Sequence, residues 1–182
     1  SFLTTTGFVS DDWAAARATA LARLASIAQG WSGASDHAVA LLMALVNSDL
    51  APVIPCKGTV GASGDLTPLS HLALALMGEG RFMDRSGAEV ESAAVFERWR
   101  MEPLTLAERD GLALVNGVSA MTGVALLNAD VAQRLIGRSE QLQVAHAELL
   151  SGRMEAWRPE FGDARPHPGQ RAAIRSLGDW AD

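Results

Sequence analysis

From Ser119 to about Leu150 the apolar residues return at helical rather than alternate spacing, through Met121, Val124, Leu126, Leu127, Val131, Leu135, Leu142, Val144 and Leu149. A helix this long belongs to a bundle or to a subunit interface, and it sets the expectation for the whole chain: all-α, a segment of a helical bundle.

The remaining segments agree. Asp11-Asp12 followed by Trp13 to Gln29 and then Gly30 reads as a helix with acidic caps and a Gly stop, its apolar side formed by Leu21, Leu24, Ala25 and Ile27. Ser35-Asp36 caps a second helix through Asn47, apolar around nearly its whole circumference and therefore expected to be deeply buried. Pro68 sits in the first turn of a third helix that runs to Met77 and stops at Gly78. Residues 80–93 allow one short β-hairpin around Ser86-Gly87, and Thr105 to Leu114 looks helical. Arg158 to Gly169, with three prolines, reads as a loop before a last helix from Gln170 to Trp180. At 182 residues, one mostly helical unit over 1–182 is expected.

Composition narrows the partners. Hydrophobic residues at 48% and charged residues at 20% suit a folded protein rather than a disordered one. The net charge of −6 comes without any run of Lys or Arg, so nucleic acid is not expected as a partner. Cys56 is the single cysteine, which excludes an internal disulfide and suits the cytoplasm. Val39 to Val46 and Leu72 to Met77 fall short of the ~18 residues that span a bilayer, so no membrane insertion is expected. The N-terminus, Ser1-Phe2-Leu3, has neither a signal-peptide pattern nor an initiator Met and reads as cut or processed.

The chemistry is concentrated in Gly58-Thr59-Val60-Gly61-Ala62-Ser63-Gly64-Asp65. A P-loop would need Gly-Lys-Ser/Thr at its end, where Asp65 would instead repel phosphate. A nucleophile elbow would need Gly where Asp65 stands and a strand before it. The glycine spacing of three does not fit the dinucleotide fingerprint. On composition alone this is a Gly-rich loop ahead of a helix. The full string through Leu66-Thr67-Pro68-Leu69-Ser70-His71, however, closely resembles the signature of the histidine, phenylalanine and tyrosine ammonia-lyases. Ala20 to Gly33, Leu114-Val115-Asn116-Gly117 and Arg165-Pro166-His167-Pro168-Gly169-Gln170 fit the same family in the same order.

That resemblance implies a prosthetic group, 4-methylidene-imidazole-5-one (MIO), formed from Ala62, Ser63 and Gly64. The amide nitrogen of Gly64 adds to the carbonyl carbon of Ala62, which asks for an unhindered nitrogen and unusual backbone angles. Ser63 loses its hydroxyl, its Cβ becomes an exocyclic methylene, and two waters leave. The implied reaction removes ammonia from an aromatic L-amino acid, leaving an α,β-unsaturated acid. Asn116 is implied to lie beside the ring, although Asn-Gly by itself reads as a left-handed helix end. Phe2, Leu3 and Leu66 are implied substrate contacts. The family has Phe-Leu at the Phe2-Leu3 position in phenylalanine enzymes and His-Leu in tyrosine enzymes, so phenylalanine is favoured.

His37, His71 and His146 stand singly on helices, and no metal site is expected. Two features depart from the family: the chain has no tyrosine, where the family uses a loop Tyr as base, and it lacks the later part that supplies a carboxylate-binding Arg. The resemblance implies a homotetramer or complementing chains, with the isolated segment inactive. An MIO-dependent 2,3-aminomutase and a truncated, non-catalytic relative are the alternatives.

Overall fold

The computed structural model describes residues 12–59, 63–107 and 109–181. Two compact units divide the chain, Ser1–Leu127 and Asn128–Asp182. In the first, α1 (Trp13–Ile27) and α2 (Asp36–Asn47) begin where their polar caps place them. The Ala15 N–H donates to the Asp12 carboxylate at 2.9 Å and the Ala38 N–H to the Ser35 hydroxyl at 3.2 Å. Each bond satisfies a first-turn donor that no helical carbonyl can reach. There follow β1 (Ala51–Pro52), α3 (Leu66–Leu76), β2 (Arg81–Met83), β3 (Glu89–Glu91), α4 (Ser92–Trp99) and α5 (Asp110–Val115). α6 (Ser119–Leu149) starts in this unit and continues into the second.

Leu41, Leu42 and Leu45 of α2 meet Leu69, Leu72 and Leu76 of α3 in the core, with Phe82, Val95, Phe96 and Leu114 around them. Phe82, Phe96 and Trp99 pack edge to face, with ring centroids 5.6 to 6.5 Å apart, the geometry that the charge distribution of aromatic rings favours. The strands run antiparallel in the order β1-β2-β3. β2 and β3 form the hairpin expected over 80–93. β1 was not expected, because two residues are too few to show alternation, and its Pro52 is tolerated on an edge strand.

Several other expectations are corrected. The buried side of α1 is Ala16, Thr19, Ala20, Arg23 and Ile27, while Leu21 is half exposed. Small residues on that side let the backbone of α1 approach α6 closely: a Cβ on Gly123 would lie 2.6 Å from the Thr19 nitrogen. α2 is not buried all round, since Met43 is half exposed. The helix expected over 105–114 is confined to α5, whose start is fixed by Asp110. This carboxylate, fully buried, accepts the Ser35 N–H at 2.6 Å, the Ser35 hydroxyl at 2.8 Å and the Ala107 N–H at 3.0 Å. α4 was missed, and it ends on Arg100 in the left-handed conformation. The stretch Asp110–Leu149, which takes in α5 and α6, contains a window long and apolar enough by length and composition to cross a bilayer, of which 22% is buried. No uninterrupted apolar run marks it in the sequence, because Asn116-Gly117 and small polar residues interrupt it.

In the second unit a 3₁₀ turn (Met154–Trp157), α7 (Pro159–Ala164) and α8 (Pro168–Ala181) follow the rest of α6. The segment expected as a loop is thus partly helical. Pro159 takes the first helical position, where its missing N–H costs nothing. Arg171 pairs with Asp163 at 3.0 Å, and the Ser176 hydroxyl donates to Glu140 at 2.6 Å.

Candidate active site

Pro55, ahead of the Gly-rich segment, is buried, and Asp65 at its end is 6% exposed. Between them Ser63 is exposed and Gly64 is half-buried with φ +128°. A side chain at Gly64 is doubly excluded. Its φ disfavours any Cβ, and a Cβ built there would lie 2.8 and 2.9 Å from the carbonyl carbon and nitrogen of Gly117 and closer still to its oxygen. The next peptide locks the approach, with the Asp65 N–H donating to the Gly117 carbonyl at 2.7 Å.

Asp65 is the hub of this contact. Its carboxylate accepts the Met121 N–H at 2.8 Å and the Thr59 hydroxyl at 3.3 Å. Met121 lies in the first turn of α6, so its N–H has no partner within its own helix. α3, which begins at the next residue, is left without a side-chain cap. Asp65 is nonetheless the N-cap residue of α3, so its charge lies at the positive end of that helix.

Asn116 ends α5 and is exposed, its N–H donating to the Leu112 carbonyl at 3.0 Å. At φ −94° and ψ 104° it is extended, so the left-handed reading of Asn-Gly does not hold. Behind it lies Arg23 of α1, 4% exposed. Its Nε donates to the Ala113 carbonyl at 2.9 Å, and one terminal nitrogen donates to the carbonyls of both Ala113 and Asn116, the latter at 3.0 Å. Its other terminal nitrogen is 3.4 Å from the Ser119 hydroxyl. Burial pushes its pKa down, yet a guanidinium stays charged.

Of the candidate site residues, the structure sets Gly64 against the residue that follows Asn116, and Leu66 opens α3, half-buried. Phe2, Leu3 and Ala62 lie outside the described residues. His71, also on α3, has a buried Nε2 without a partner among the described residues, and burial pushes its pKa below the ordinary imidazole value. Sequence reasoning missed Arg23, Thr59, the role of Asp65 and the Met121 N–H. The signal for Arg23 was its place in the spacing Ala16, Thr19, Ala20, Arg23, Ile27, which is one helix face.

Residues 8–181 match the family model described as aromatic amino acid lyase. A tyrosine ammonia-lyase of Cereibacter sphaeroides is 54% identical over 166 residues, 91% of this chain and 32% of that protein. A histidine ammonia-lyase of Gloeobacter violaceus is 42% identical over 161 residues, 88% of this chain and 31% of that protein. Among solved structures, the phenylalanine aminomutase of Pantoea agglomerans superposes with a TM-score of 0.85 at 31% identity, over 98% of this chain and 34% of its own. The chain spans about a third of the length of the relatives it matches.

Proposed function

This chain belongs to the aromatic amino acid lyase family, and on that premise we propose that it is the electrophile-bearing part of an enzyme that eliminates ammonia from an aromatic L-amino acid. The observation that carries the proposal is the backbone contact between Gly64 and Gly117 beside an exposed Ser63.

The residues present fit a ring closed from Ala62, Ser63 and Gly64. Gly64 presents a backbone nitrogen without a side chain in its way, at a φ that glycine adopts freely. Ser63, being exposed, gives its hydroxyl a route to solvent. The ring supplies an electrophilic methylidene carbon in a protein whose side chains are otherwise nucleophiles. Asp65 would hold the segment through Gly117 and Met121, Asn116 would border the ring and substrate, and Leu66 would offer the substrate apolar area. The N-terminus of α3 would favour negative charge at the ring, offset in part by the Asp65 carboxylate.

The test is the intact mass of the full-length protein. Closure removes two waters, about 36 Da, from the backbone. Wild type is expected to carry this loss and to release ammonia, and Ser63→Ala to carry neither. A full-mass wild type would end the proposal. An unsaturated acid as product identifies a lyase and a β-amino acid an aminomutase, the reading that the Pantoea agglomerans relative favours.

The substrate reading rests on Phe2-Leu3. Phe2 offers apolar area only, and a buried phenol hydroxyl left unpaired costs ~1–3 kcal/mol, which favours phenylalanine roughly tenfold to a hundredfold. The 54% identity to a protein named for tyrosine favours the second reading. Specificity constants for both substrates in wild type and Phe2→His decide: a ratio that stays put on substitution removes Phe2 as the selector. Assembly into a tetramer is supported by the exposed Met121, Leu126, Leu135, Leu142 and Leu149 along α6, and light scattering of the full-length protein tests it.

A further inference from the structure

The geometry points to Arg23 as a positioning residue that holds the Asn116–Gly117 turn where Gly117 receives the Gly64–Asp65 peptide. The inference rests on the functional reading above and adds to it a residue of α1 far away in sequence.

Two successive peptides of the turn are each held from a different side. The Asn116 carbonyl accepts from the Arg23 guanidinium at 3.0 Å, and the Gly117 carbonyl accepts from the Asp65 N–H at 2.7 Å. A planar guanidinium also donates to Ala113, so the end of α5 and the turn beyond it are fixed by one rigid group. The contacts are steric as well. A Cβ on Gly117 would lie 3.2 Å from the Arg23 Cζ and closer to one terminal nitrogen, and a Cβ on Gly64 would run into Gly117. Arg23, Gly117 and Gly64 are thus in serial contact, with no slack for a side chain at either glycine.

Arg23 caps the end of α5, donating to carbonyls of its last turn that have no helical partner. Its partners among the described residues are carbonyls and one hydroxyl, and it forms no ion pair with a carboxylate there. A buried cation without a counter-charge carries a desolvation cost, which the carbonyls at the negative end of α5 offset in part. What the guanidinium adds is orientation of the turn. Ring closure needs that orientation. The Gly64 nitrogen bonds to the Ala62 carbonyl carbon, whose oxygen leaves as water with the Gly64 and Ser63 amide hydrogens. The Ser63 hydroxyl leaves with its α-hydrogen as the second water. No oxidant or reductant takes part, and holding the nitrogen near the carbonyl carbon favours closure.

The test uses the full-length enzyme with Arg23→Gln, Arg23→Lys and Gly117→Ala, the last displacing the guanidinium by a steric clash while keeping its charge. Intact mass is followed from synthesis onward, with kcat, KM and thermal unfolding measured on the same samples. Gln and Ala are expected to slow the loss of about 36 Da by about tenfold or more and to lower kcat more than KM, while Lys restores part of both. If Arg23→Gln does not fold, Gly117→Ala and Arg23→Lys carry the comparison. Prompt dehydration with wild-type kcat in the folded variants overturns the inference alone. A wild type of full, undehydrated mass overturns it together with the functional reading.

Discussion

The Asp65 carboxylate accepts the Met121 N–H of α6 at 2.8 Å while α3, beginning one residue later, has no side-chain cap. Asp65→Ala should therefore loosen the start of α6 rather than of α3, with an expected loss of about 1–3 kcal/mol in unfolding free energy. Hydrogen exchange locates the effect: the Met121 amide should exchange faster while the amides of Leu72 to Leu76 hold their order. Asp110 gives a pH-dependent counterpart. Burial pushes its pKa up, but the N–H groups of Ser35 and Ala107, the Ser35 hydroxyl and the charge of His37 outweigh it and hold the carboxyl below the ordinary aspartate value. Its contribution is thus present above the unfolded pKa of about 3.9 and is lost as pH falls through the lower folded value. Wild type should exceed Asp110→Ala by on the order of 3 kcal/mol at pH 6, and the gap should narrow in that acid window. A gap independent of pH down to full protonation would show that shape, not charge, is what Asp110 supplies.

At the scale of elements, helices with strong caps were legible and those set by tertiary contacts were not. Asp12 and Ser35 announce α1 and α2 because a cap is a local bond. α5 is shorter than its apolar pattern suggests because Asp110 ties its start to Ser35, seventy-five positions away. The buried side of α1 was misread for a related reason. Leu24 and Ile27 do pack on the core, but Leu21 is half exposed, and the small residues Ala16 and Ala20 share the buried side with Thr19, where the backbone of α6 approaches. Arg17 shows how a single side chain joins elements: it donates to the Val46 carbonyl at 2.7 Å and the Leu50 carbonyl at 3.0 Å, bonds the Ser48 carbonyl, and stacks on Trp13 at 5.0 Å. Arg17→Met should keep the stem's packing and lose these bonds, destabilising the chain by about 2 kcal/mol. Denaturant unfolding checks this, and a change below a few tenths of a kcal/mol would mean water replaces the guanidinium there.

At the scale of the molecule, the candidate site was legible only where it is contiguous. Ser63, Gly64 and Leu66 stand in one signature, and Asn116 stands in a second, but nothing in either string says that Gly64 touches Gly117 or that Arg23 braces the turn. The proposed enzyme also needs a base and a carboxylate-binding group that the resemblance places outside these 182 residues, so the isolated chain is expected to release no ammonia from phenylalanine or tyrosine. Turnover by the purified chain would move those roles onto residues present here. The contact of Gly64 with Gly117 has one more consequence, for the life of the protein on the ribosome. A nascent chain that has emerged only as far as α3 holds all three ring-forming residues and none of the surfaces that brace them. Dehydration of the backbone would therefore be a receipt for folding: ribosome-bound chains halted before Asn116 should keep their full mass, and chains released past Met121 should be the first to lose it.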